Sequence, residues 1–556
     1  MPRMTGARFL AETMKGYGVT HVFFVPAVLR KALVEMEQVG IKRIVTHGEK
    51  AAAYMADGYA RASRRPGVCM AQSVGAVNLA AGLQDAFLGL SPVVAITGHR
   101  PLMHQHRNSY QEIEHAAPFS AVTKYSVVVD SAAQLPHLLR QAFREATSGA
   151  PGPVHLDFQG YSGEVVVEAE ADLEVIVEDT FTRVPAFRTE PEPERVREAA
   201  QVLSSAQRPV IVAGGGVTAS QAQREVVQLA EMLSIPVATS LNAKGMIPDG
   251  HPLSVGVCGS YSRWCANRVV AEADLVLFIG SHTGSQVTLD WKIPPMGTPV
   301  IQIDIDPSEL GRSYPTKVAL QGDAKATVRR LIDALEPIGG RPEWVGRAQE
   351  LVREWRSEVA PLAHSEAVPI RPERLCTELT EFLPSDAVLL ADTGHAGIWT
   401  GAMVDLRYPE QRYLRAAGSL GWGLPAALGA KCALPDRPVV CFTGDGGFWY
   451  HIAELETAVR HGINVVAVVN DNHSLNQDKR GDDRAYAGRP GNAEELYMFR
   501  DVDLAKVAEA IGCFAIRVER PGQIQSALEQ ALASGRPAVV DVVTDIEGIA
   551  PPPWSG

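Results

Sequence analysis

Residues 438–477 read PVVCFTGDGGFWYHIAELETAVRHGINVVAVVNDNHSLNQ. The apolar run over 439–443 has strand length and meets Gly444-Asp445-Gly446-Gly447, where missing Cβ atoms let the backbone approach a ligand closely. Ile452, Leu455, Thr457 and Ala458 recur near helical spacing as far as Gly462. A second β-branched run over 464–469 ends in Asn470-Asp471-Asn472. This is one βαβ unit, whose parallel strands deliver their following loops to one carboxyl edge, where α/β sheets bind ligands. That edge receives the Asp445 carboxylate and, 27 residues later, the Asn472 amide, with main-chain carbonyls near Ser474 beyond. Hard oxygen donors suit Mg²⁺, which takes few protein ligands and leaves its other positions to phosphate and water. A diphosphate fits there, because the glycines turn N–H groups toward its oxygens and the helix start adds a favourable dipole.

The rest of the chain sets bounds on this reading. At 556 residues it is too long for one core, and about 100–200 residues per domain predicts three or four units. A net charge of −12 argues against a nucleic-acid binder. The 7 cysteines are scattered without Cys-x-x-Cys pairs, as expected of reduced core residues in a cytoplasmic protein. The amino terminus opens into an amphipathic helix, with Thr5 as its cap, rather than an export segment. No run approaches the roughly 20 apolar residues that span a bilayer, so no membrane association is expected.

Gly-Asp-Gly followed 27 residues on by an asparagine resembles the diphosphate and magnesium motif of thiamine diphosphate enzymes. Nearly the whole chain resembles the acetolactate synthase-like branch of that superfamily. The resemblance implies an α/β protein of three doubly wound parallel-sheet domains. The pyrimidine-binding domain is expected over residues 1–165 and the central domain over 196–337. The diphosphate- and Mg²⁺-binding domain follows over 370–556, with linkers at 166–195 and 338–369. Gly444, Asp445, Gly446, Gly447, Asn472 and Ser474 would then hold the cofactor diphosphate, with Asp445, Asn472 and Ser474 on the metal.

The first third supplies the other end. Residues 42–46 read as a strand, His47-Gly48 as a turn, and Glu49 opens a helix through HGEKAAAYMADGYARAS. A carboxylate at a helix start is commonplace. By resemblance, however, Glu49 is the acid that hydrogen-bonds the cofactor pyrimidine and promotes its imino form, a role that burial of the neutral acid favours. In Ser73-Val74-Gly75-Ala76-Val77-Asn78, Gly75, Ala76 and Asn78 agree with the family turn Gly-Pro-Gly-Ala-x-Asn, which puts Asn78 near the cofactor, whereas Ser73 and Val74 depart. Gln111, 13 residues before Lys124, matches a family position beside the substrate, and Tyr110 stands where phenylalanine is usual. His99, His104, His106 and His115 crowd one loop without zinc-site spacing and read as solvated loop residues. Val25-Pro26-Ala27-Val28-Leu29 replaces the family's Pro-Gly-Gly with bulkier side chains that would crowd the reacting carbon.

Residues 164–195 are acidic and proline-punctuated and read as an exposed connection. A strand over 209–213 then runs into Gly214-Gly215-Gly216-Val217, short of a full dinucleotide fingerprint. Where acetolactate synthases carry Arg-Phe-Asp-Asp-Arg for FAD, this chain has His282-Thr283-Gly284-Ser285-Gln286, which argues against FAD. Relatives acting on acyl-CoA compounds hold ADP there, so Gly214–Val217 and Asp304–Asp306 are candidates for an ADP or CoA moiety, against a domain kept for packing. In Ala416–Ala427, Gly418 and Leu420 match the family stretch in which a bulky residue wedges between the cofactor rings. Residues 478–491 read as a lid or a solvated loop, and Pro551–Trp554 as a cover or a tail.

The resemblance implies a homodimer at minimum, commonly a homotetramer, since the two cofactor ends are held by different subunits. The implied activity is carboligation or decarboxylation of 2-oxo acids, with Glu49, Gln111 and Leu420 catalytic. A 2-hydroxyacyl-CoA lyase and a catalytically silent homologue are the alternatives.

Overall fold

A computed structural model describes residues 2–336, 340–550 and 553–554. Three six-stranded sheets, every strand pair parallel, follow one another along the chain. The first runs Lys42–Val45, His21–Phe24, Gly67–Gln72, Val93–His99, Val154–Gln159, Tyr125–Val129 across its width. The last runs Arg412–Arg415, Val388–Ala391, Val439–Gly444, Val466–Asp471, Ala538–Val543, Phe514–Val518. Numbered within each sheet, both have the order 2-1-3-4-6-5, so their topologies repeat. The central sheet runs Ser254–Val257, Val237–Thr239, Pro209–Ala213, Leu275–Ile279, Val300–Asp304, Val318–Gln321, the order 3-2-1-4-5-6 known from dinucleotide-binding folds. Such sheets bind ligands where strand order reverses. In the last sheet that point lies between Val388–Ala391 and Val439–Gly444, so the loops at Asp392 and Asp445 share one crevice mouth.

The strands are near-continuous Val, Ile, Leu and Ala runs because helices cover both faces. Thr5 caps the first helix, its hydroxyl accepting from the Arg8 N–H. Helices Glu49–Ser63 and Gly423–Ala433 cross in close backbone contact. A Cβ on Gly58 would lie 2.0 Å from the Ala426 carbonyl oxygen, and one on Gly429 would lie 1.8 Å from that of Met55. This crossing joins the first and last thirds of one chain into a shared apolar core.

The connection after residue 163 is less exposed than its charge suggests. Glu170–Asp172 pairs antiparallel with Arg3–Thr5, and Val166, Val167, Leu173 and Phe181 are buried. The acidic residues alternate with apolar ones that have a core to join. Residues 337–339, where the expected boundary between central domain and second linker falls, lie outside the described residues; a helix, Pro342–Ala363, follows. No described helix is long and apolar enough to cross a membrane.

Candidate active site

Val439–Gly444 and Val466–Asp471 are adjacent, with Gly444 opposite Asn470, so the chain leaves both strands at one edge. Asp445 opens a helix that ends at Tyr450, shorter than the sequence pattern implies, so its dipole is small. The side chain is 2% exposed, and its Oδ2 has no hydrogen-bond partner. Burial, then the nearby Asp471, pushes the Asp445 carboxyl well above the usual carboxylate range, while the Gly446 and Ser474 N–H groups oppose the shift. Asn472 and Ser474 are buried beside it, with the Ser474 hydroxyl donating to Asn472 Oδ1 at 2.8 Å. A buried acid with an orphaned oxygen, beside an amide oxygen, fits a hard divalent cation that removes the acid's proton. Gly444 and Gly418 have nothing within 4 Å of where a Cβ would stand, so both leave open space for a ligand.

Leu420 stands on a turn fixed from both sides by buried carboxylates that the sequence reading passed over. Asp85, from helix Gly75–Leu88, accepts from the N–H groups of Ala417, Gly418 and Ser419 at 2.8, 3.2 and 3.0 Å. Asp392 accepts from Gly421 and Gly423 at 3.0 and 2.9 Å, and from its neighbour Thr393 at 2.8 Å. Burial pushes the Asp392 carboxyl up to about 6 even with these donors. Gly421 has φ of 85°, the left-handed backbone that a side chain there would strain. Arg61 bonds Asp85 at 3.0 Å and Asp57 at 2.7 and 2.8 Å, and Asp57 accepts from Trp422 Nε1. The visible signal was an Asp-x-x-x-Arg pair, Asp57 and Arg61, within an alanine-rich helix, where unmatched charge has no place.

Glu49 begins its helix at the carboxyl edge of the first sheet and is half-buried. Asn78 Nδ2 donates to Glu49 Oε2 at 3.3 Å. A Cβ on Gly75 would stand 2.4 Å from Glu49 Oε1, so only glycine leaves the carboxyl its place. The preceding turn is tied to the last third of the same chain, with the His47 N–H donating to the buried Glu454 at 2.9 Å. Gln111 reaches the same sheet edge. It adopts φ of 58°, its carbonyl accepts from the Ser73 hydroxyl, and its Oε1 accepts from Tyr161 at 2.6 Å.

Family models for the N-terminal thiamine pyrophosphate-binding domain, the central domain and the C-terminal thiamine pyrophosphate-binding domain match residues 4–118, 196–331 and 392–542. A probable acetolactate synthase large subunit of Methanocaldococcus jannaschii is 34% identical over 98% of this chain and 92% of its own. The acetolactate synthase isozyme 2 large subunit of Escherichia coli strain K12 is 31% identical over 99% and 97%. The chain belongs to the acetolactate synthase-like branch of the thiamine pyrophosphate enzymes. A Mycobacterium bovis acetolactate synthase, 31% identical over 98% of this chain and 88% of its own, belongs to the same set.

Against that family background three expectations change. His115 is buried, not solvated: its Nδ1 lies 3.1 Å from both Asp157 oxygens and its Nε2 3.0 Å from the Ser73 carbonyl, and His99 also faces Asp157. These contacts hold Asp157 ionised, well below the usual carboxylate range against its burial. His104 and His106 are exposed as expected, and no three metal-ligating side chains gather among the described residues. The 478–491 stretch is largely helix, Asn476–Tyr486, carried by the Lys479–Asp483 pair one turn apart and by Lys479–Glu547, not by apolar periodicity. Pro551 and Pro552 lie outside the described residues, while Trp554 packs against the large apolar core. In this thiamine pyrophosphate enzyme a cavity of about 1410 Å³ opens at the reversal of the central sheet. It is lined by Gly214–Gly216, His282–Gln286, Asp304 and Arg415.

Proposed function

We propose that the protein is a thiamine diphosphate- and Mg²⁺-dependent carboligase or decarboxylase acting on 2-oxo acids. The observation that carries this reading is the buried Asp445 with an unpartnered oxygen, paired with Asn472 across adjacent strands, on a chain that also sets Glu49 against Gly75. Asp445, Asn472 and the Ser474 main chain would hold the metal; Gly444, Gly446 and Gly447 the diphosphate; Gly418 and Leu420 the bend; Glu49 and Asn78 the pyrimidine end. The bound cofactor supplies an electron sink beside the substrate carbonyl. Glu49 holds or passes a proton at the oxygen facing that ring, Asn78 orients the carboxyl through its amide, and Gln111 lines the substrate side.

Two copies of the chain fit this arrangement better than one. Within one chain the Leu420 turn rests on Asp85, ten residues and about 15 Å along its helix from Gly75, against which Glu49 stands. Apolar side chains are exposed around both half-sites: Met103 79% and Tyr110 76% at one, Leu496 57% at the other. A second copy would cover them. Three relatives named as acetolactate synthases over their whole length support the 2-oxo acid class.

A second reading, a 2-hydroxyacyl-CoA lyase, is favoured by the central cavity, which has room for a nucleotide but lacks the arginines and aspartates expected around FAD. Turnover of a panel of 2-oxo acids and 2-hydroxyacyl-CoA esters, with added thiamine diphosphate and Mg²⁺, tests both. Cofactor-dependent CO₂ release from 2-oxo acids is expected, and turnover of the CoA esters alone would overturn the first reading. Ligand released from denatured protein is expected to absorb near 260 nm without a flavin band.

A further inference from the structure

The strand Val93–His99 ends in Arg100, on the carboxyl edge that also carries Glu49 and Gln111. The Arg100 guanidinium lies 4.3 Å from the Tyr161 ring centre and 5.9 Å from that of Tyr110. These rings flank the Gln111 amide, whose Oε1 accepts from the Tyr161 hydroxyl and whose Nε2 donates to the Tyr110 hydroxyl at 3.1 Å. Arg100 Nε and Nη2 are buried and have no hydrogen-bond partner. Glu112, the acid on the adjoining loop, is already engaged by the His106 and Ser109 N–H groups at 2.6 and 3.1 Å.

A guanidinium is always charged, and leaving its donors unmet away from water is costly. Nε–H and Nη2–H lie along a single edge of its plane, the edge that meets both oxygens of a carboxylate at once. The ligand complementary to this corner is therefore a planar carboxylate beside the Gln111 amide.

Resting on the 2-oxo acid reading, we infer that Arg100 binds the carboxylate of the acceptor 2-oxo acid and selects carboligation over release of a free aldehyde. In carboligation the donor loses CO₂, its former carbonyl carbon bonds to the acceptor's carbonyl carbon, and the acceptor oxygen takes up one proton. The acceptor keeps its carboxylate throughout. A cation set against the departing carboxylate would stabilise the ground state more than the transition state and slow its loss, whereas one set against the retained carboxylate carries no such penalty.

Two measurements test this on the full-length protein. The first is binding of oxamate, an unreactive 2-oxo acid mimic, followed by tyrosine and tryptophan fluorescence without any turnover. The wild type is expected to bind it, Arg100→Met about 100-fold more weakly, and Arg100→Lys in between. Equal binding by wild type and Arg100→Met, or no binding by the wild type, overturns the assignment. The second compares ligation to a 2-oxo acid acceptor with ligation to an aldehyde acceptor, which has no carboxylate. Arg100→Met should lose about 100-fold in kcat/KM for the first, keep the second within about threefold, and release more free aldehyde. Equal loss with both acceptors in both variants would mean that Arg100 serves the fold, and would overturn the proposal. A wild type that binds oxamate yet turns over no 2-oxo acid defeats the parent reading, not the carboxylate site.

Discussion

Two residues carry the chemistry, and each has an environment that makes its role measurable. Glu49→Gln keeps the side chain's shape between Gly75 and Asn78 but cannot exchange a proton. The variant is expected to bind thiamine diphosphate while the cofactor's C2 proton exchanges with deuterium about 10²- to 10⁴-fold more slowly, as read by quenched-flow NMR. Asp445 is protonated more readily in the folded chain than in the unfolded one, because burial raises its pKa. In the metal-free protein its neutral form stabilises the fold, and that contribution is lost as pH rises above the unfolded carboxyl value. Metal must displace the proton, so Mg²⁺ affinity should rise with pH, and calorimetry in buffers of different ionisation enthalpy should register proton release. Asp445→Asn should abolish that release and raise the melting temperature of the metal-free protein. Asp445 and Asn472 were legible from spacing alone. Arg100 was not, because an arginine after a strand shows neither its burial nor its missing partners until Tyr161, 61 positions later, is folded against it.

Among the elements, the crossing of helices Glu49–Ser63 and Gly423–Ala433 does most to place the site, since it sets the Leu420 turn against Asp85. A methyl on either Gly58 or Gly429 collides with main-chain atoms, which cannot rotate aside. Gly58→Ala or Gly429→Ala should therefore cost about 1–3 kcal/mol in urea unfolding. Asp85→Ala removes the acceptor of three N–H groups and leaves Arg61 short of a partner in a buried network. A loss of about 3–5 kcal/mol is expected, with weaker thiamine diphosphate binding as the Leu420 turn loosens. Strands such as Gly67–Gln72 and Pro209–Ala213 could be read residue by residue, because turn residues bound their apolar runs. The helix Asn476–Tyr486 could not, because its stability comes from charge pairs one turn apart rather than from a buried stripe.

For the molecule as a whole, the repeated strand order of the first and last sheets means that one chain carries two similar halves. Glu49 lies on one and Asp445 on the other. This duplication was hidden in the sequence, since only the order of strands repeats while the side chains at matching edges serve different ends of one cofactor. The central sheet's own order, and the cavity at its reversal, were equally hidden, because three glycines after a strand fall short of a fingerprint. The central claim is that Glu49 of one copy and Asp445 of another complete a single site, and subunit mixing tests it most directly. Glu49→Gln and Asp445→Asn proteins, each nearly inactive alone, are unfolded together, refolded and assayed, with mixed dimers confirmed by mass. Random pairing gives one intact site in each mixed dimer, so recovery of about a quarter of wild-type activity is predicted. Mixed dimers that stay as inactive as their parents would contradict the account.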